Sequence, residues 1–141
     1  MKRKNLLQYI VALCLLLMVY TATSKLYLYT SFVTVLKQSP WLHSIAMLTA
    51  WLVPVTELFV ALLLFFPATQ KAGLICFTIL LSGFTIYIIL MLSISEKLPC
   101  SCGGVIQYLS WRQHLVFNIF FILLGITGLY TIKREKAENL K

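Results

Sequence analysis

Residues 72–94 read AGLICFTILLSGFTIYIILMLSI, a stretch without one charged side chain. At 1.5 Å per residue a helix of this length reaches about 34 Å, enough to cross a hydrocarbon core roughly 30 Å thick. Three further runs resemble it: Leu6 to Thr23, Ile45 to Phe66 (closed by Pro67), and His114 to Ile132. The chain is 60% hydrophobic and only 11% charged, against roughly 25% charged residues in soluble domains. These runs predict an all-α polytopic membrane protein, a four-transmembrane-helix bundle. Residues 1–141 form one membrane domain with spans near 6–23, 45–66, 72–94 and 114–132. Leu6 to Thr23 is longer than a signal-peptide core and Thr21-Ala22-Thr23 is a poor cleavage site, so it is read as a retained helix.

The formal net charge of +8 raises the question of nucleic acid, and the placement of the charges answers it. Lys2-Arg3-Lys4 and Lys133-Arg134-Glu135-Lys136 sit just outside apolar runs, where positive residues set topology. Membrane lipid, and not nucleic acid, is therefore the expected surrounding. With both termini in the cytoplasm, the inner segments also hold Lys71 and Lys141, and the outer segments hold only Lys25, Lys37, Lys97 and Arg112. That bias favours two cytoplasmic termini. Between the first two spans, Leu26, Tyr29, Val33 and Leu36 recur at helical spacing. This predicts a short interfacial helix, with Tyr27, Tyr29 and Trp41 at headgroup depth. A plain loop is the alternative.

Residues 95–113 break the apolar pattern and carry Pro99-Cys100-Ser101-Cys102-Gly103-Gly104. Cys14 and Cys76 lie inside apolar runs and behave as small hydrophobes. Cys76 begins the third span, about 30 Å of helix from Cys100, so the two do not pair. A disulfide between neighbours two apart closes a small, strained ring, and strained exposed disulfides exchange readily. Lys97 and Arg112 favour thiolate, while Glu96 opposes it. A static bridge is one alternative. A soft-metal site with His114 is another, although zinc ligands usually come as Cys-x₂₋₄-Cys. The outer face, where this pair is expected, is the oxidising periplasm in a bacterium.

Two groups of polar residues stand out within the spans. Trp111, His114 and Asn118 share one face of the fourth helix. They are read either as a thiolate-stabilising or proton-moving histidine with a quinone or partner site, or as plain anchoring and helix–helix contacts. Glu57 lies near mid-span one turn after Pro54, where an unpaired charge is costly. Lys25 is a candidate partner, reaching inward by its long side chain, and Thr56, Thr78, Ser82 and Thr85 are candidate hydrogen-bond donors. Proton transfer and simple packing are both open to Glu57.

The order of several short stretches resembles the MauE/DoxX group of redox-associated membrane proteins. They are Ser24-Lys25-Leu26, Phe32, Ser39-Pro40-Trp41-Leu42, Trp51-Leu52-Val53-Pro54-Val55-Thr56-Glu57-Leu58 and Cys100-Ser101-Cys102-Gly103. The Lys-Leu and Pro-x-x-Glu elements resemble DoxX-type proteins, and Cys-x-Cys before the last span resembles the MauE branch. That resemblance implies a DoxX-like four-helix membrane protein of the bacterial inner membrane, linked to methylamine metabolism. It implies help to a thioredoxin-like periplasmic protein in forming disulfides in the methylamine dehydrogenase small subunit. By it, Cys100 and Cys102 carry the redox chemistry, and Lys25 and Glu57 are the family's polar positions. Quinone is the candidate cofactor; no metal is expected. The alternatives from other classes are a membrane scaffold subunit with a static bridge and a small permease using Glu57.

Overall fold

The computed structural model describes residues 2–94 and 111–138. Five α-helices and one 3₁₀ turn account for nearly all of them. Helix α1 spans Lys2–Tyr27, α2 Tyr29–Gln38, α3 Ala46–Phe65, α4 Gln70–Ile94 and α5 Trp111–Glu138, with the 3₁₀ turn at His43–Ile45. Four of the helices are long and apolar enough to cross a membrane, over Asn5–Tyr27, His43–Phe65, Gln70–Ser93 and Arg112–Glu138. The protein is an all-α polytopic bundle.

Although these helices are apolar nearly all round, each buries one stripe. Along α1 the buried positions are Leu7, Ile10, Val11, Cys14, Leu17, Met18, Ala22 and Lys25, the three-and-four spacing of a helix face. Large side chains such as Leu16, Trp51, Leu52, Phe59, Ile79, Val116 and Leu123 remain outside. Exposed apolar surface on that scale is suited to lipid, where no hydrophobic force drives helices together and close fit must do so. Small residues supply that fit. A Cβ on Gly125 of α5 would stand 2.6 Å from the Thr78 hydroxyl of α4, and one on Gly73 would stand 2.9 Å from the Leu64 backbone nitrogen of α3.

Neighbouring helices run α1–α3–α4–α5 and back to α1. The chain therefore makes an up-and-down bundle with α2 laid beside α3. Phe32 and Leu36 of α2 settle on Ala46 and Ala50, whose short side chains leave room for it. The α3–α4 corner follows from Pro67: the residue before a proline is pushed to extended backbone, and Phe66 has φ −86° and ψ 124°. Thr69 then donates its hydroxyl to the Leu63 carbonyl at 2.8 Å, satisfying one of the carbonyls left open at the helix end.

Three expected boundaries move. The first span runs on to Tyr27, so Lys25 belongs to α1 and not to the start of the interfacial stretch. The fourth helix begins at Trp111 and continues through the basic tail to Glu138. A short helix does follow the first span, but it starts at Tyr29, after a break at Leu28 with φ −100° and ψ 36°. Tyr27 and Trp41 are exposed, whereas Tyr29 is half-buried and rests 5.7 Å from the Trp51 ring.

Candidate functional site

Helix α1 ends, α3 begins, α4 ends and α5 begins at one end of the bundle. Residues 95–110 link α4 to α5, so the segment bearing Cys100 and Cys102 is tethered at that same end. The two cysteines lie outside the described residues, as do Lys97 and the side chain of Trp111. Inside this half of the bundle is a cavity of about 250 Å³.

Its walls are mainly apolar, from Leu17 and Met18 of α1, Phe32 and Leu36 of α2, Val53 of α3, Phe84 and Ile88 of α4 and Phe117 of α5. The four polar residues singled out in the spans, Lys25, Glu57, His114 and Asn118, all line this one cavity. They come from three helices, and each is nine-tenths or more buried. An apolar chamber with a few convergent polar groups is the usual form of a small-molecule site.

Lys25 Nζ donates to Glu57 Oε1 at 2.6 Å. The charges are thus paired where neither reaches water, and the ammonium also lies 5.3 Å from the centre of the Phe84 ring, whose electron-rich face attracts it. Pro54, one turn before Glu57, is itself fully buried in α3 and has no N–H to offer the Ala50 carbonyl. Lys25 is the expected partner of Glu57, but the four candidate hydroxyls donate elsewhere. Thr56, Thr78, Ser82 and Thr85 each donate to the carbonyl four residues earlier, at 2.7–2.8 Å. In a medium without water a helical hydroxyl finds its nearest acceptor on its own backbone. Thr21, one turn before Lys25 on α1, also lines the cavity and donates its hydroxyl to the Met18 carbonyl at 3.2 Å.

His114 and Asn118 are neighbours one turn apart on α5 and face inward together. Among the described residues, His114 Nδ1, Asn118 Nδ2 and Glu57 Oε2 are buried without a hydrogen-bond partner. Buried polar atoms are nearly always bonded, and all three of these residues line the one cavity. No group of three or more metal-binding side chains occurs among the described residues. Cys14, fully buried, and Cys76, partly buried, are free thiols.

A family model described as Methylamine utilisation protein MauE matches residues 3–131. The chain belongs to the MauE family. None of the curated proteins and none of the solved structures compared with it matches. In this MauE-family chain, Thr21, Phe84 and Phe117 are site residues that the sequence reading missed. Thr21 carried a usable signal, because it precedes Lys25 by one helical turn. Phe84 and Phe117 carried none, being two among many aromatics in apolar runs.

Proposed function

We propose that this MauE-family protein supports thiol–disulfide exchange with a thioredoxin-like partner, Cys100 and Cys102 alternating between dithiol and disulfide. In the oxidising direction a partner thiolate attacks one sulfur of the Cys100–Cys102 bond. A mixed disulfide forms and the other cysteine leaves as thiolate. The partner's second thiol then attacks the mixed bond, so that the partner gains a disulfide and the pair becomes a dithiol. Two electrons and two protons pass from partner to pair. The reading places the cysteine segment on the periplasmic side of the inner membrane with both termini in the cytoplasm. Burial of Lys25 within the bundle leaves Lys37, Lys97 and Arg112 as the outer charges, which strengthens the positive bias of the other side. The methylamine connection rests on the family description.

The observation that carries the proposal is one of placement. The only cysteines of the sequence outside the apolar runs hang from the end of the bundle that holds the polar cavity. With either Cys100 or Cys102 replaced by serine, the remaining thiolate attacks the disulfide of an oxidised partner, and the mixed disulfide so formed lacks the pair's second thiol that would resolve it. Each variant, expressed in its native membrane, is expected to accumulate a reductant-sensitive adduct with a protein carrying a Cys-x-x-Cys pair. If neither variant captures a thiol protein while both are present at normal levels, the exchange role is wrong.

A further inference from the structure

We infer that the cavity among α1, α2, α3, α4 and α5 is a binding site for a neutral, lipid-soluble ring bearing carbonyl oxygens, the chemistry of a quinone. The inference goes beyond the thiol-exchange reading and does not depend on it, because it is drawn from the cavity alone. Size comes first. An apolar cavity of about 150 Å³ holds one benzene ring, and this cavity of about 250 Å³ holds a ring with substituents.

Charge comes second. The Lys25 ammonium is matched by the Glu57 carboxylate at 2.6 Å, so the chamber offers no net charge to a fatty-acid anion, a phosphate or an amine. Bringing a charged ligand into it would leave that charge buried and unmatched. The hydrogen-bonding groups then choose among neutral ligands. Asn118 Nδ2 is a donor with no partner, and His114 Nδ1 becomes a second in the tautomer that carries its proton there. Glu57 Oε2 is an acceptor with no partner. A ring oxygen that alternates between carbonyl and hydroxyl is served by both kinds of group. A hydrocarbon chain is served by neither, and would leave these buried atoms unpaired.

The test uses the full-length protein in lipid nanodiscs and an azido-benzoquinone with a decyl tail as photoprobe. Labelling is expected on peptides of α4 and α5 containing Phe84 to Ile88 and His114 to Asn118. Decylubiquinone should compete the label away, whereas decylbenzene and palmitate at equal concentration should not. Asn118→Leu and His114→Phe keep the apolar volume and should each weaken competition about tenfold. Equal competition by decylbenzene or palmitate overturns the proposal in favour of an acyl-chain cavity, and this arm needs no variant to fold. Unchanged competition in both folded variants overturns it as well. The double variant Cys100→Ser, Cys102→Ser should bind the probe as the native protein does. A native protein that binds the probe but exchanges with no thiol partner would sink the thiol reading alone, and one that exchanges but does not bind the probe would sink the cavity proposal alone.

Discussion

Lys25 and Glu57 set the energetics of the bundle interior, because each makes the other's burial tolerable. Removing one partner of a buried pair leaves an uncompensated charge and costs about 3–5 kcal/mol. Glu57→Gln is therefore expected to destabilise the bundle by about that amount in a reversible detergent-unfolding titration. Lys25→Met combined with Glu57→Leu should recover most of the loss, since an apolar pair of similar volume often replaces a buried ion pair without penalty. A double variant as unstable as Glu57→Gln alone would show that the pair does more than cancel charge. At this scale the sequence was readable where a residue type was out of place. A lone acid in mid-span, and a lysine able to reach it, announce themselves. The hydroxyls did not, because a serine or threonine in an apolar helix can turn to its own backbone or to a neighbour with no change in pattern.

Among the elements, the α4–α5 contact depends on a missing side chain. Gly125→Val would drive a methyl against Thr78 and Phe77, and overpacking of this kind costs about 1–3 kcal/mol. Gly83 on α4 is a matched control, because a Cβ there meets nothing within 4 Å. Gly83→Ala should be neutral or stabilising by up to about 1 kcal/mol, through the chain entropy that glycine loses on folding. The same unfolding titration reads both. A loss at Gly125 no larger than the change at Gly83 would mean that the close approach does not govern the α4–α5 contact. The four long helices could be read from hydrophobic length alone, and Pro67 marked the α3–α4 corner. Their exact ends could not. The polar residues Trp111 to Gln113 and the basic tail through Lys136 continue α5 by backbone hydrogen bonding, which a count of apolar residues does not register. Nor could the sequence show that α2 lies against Ala46 and Ala50, because the small residues that receive it look like any others in an apolar run.

For the molecule as a whole, one end of an up-and-down bundle gathers a polar cavity and the chain segment that carries Cys100 and Cys102. That gathering was only partly legible: Lys25, Glu57, His114 and Asn118 were each visible, but their meeting in one chamber depends on the ring order of the helices. Orientation supplies a further prediction. In intact cells a membrane-impermeant amine reagent should modify Lys97 and spare Lys71, and the reverse pattern would invert the topology. The central claim, that the Cys-x-Cys pair exchanges rather than braces, is tested most directly by redox titration in isolated membranes. Cys100 and Cys102 would be alkylated after equilibration at a series of potentials. The account predicts that the two convert together above about −300 mV, the range of exchange disulfides. A pair that stays oxidised well below about −300 mV, as structural disulfides do, would contradict it.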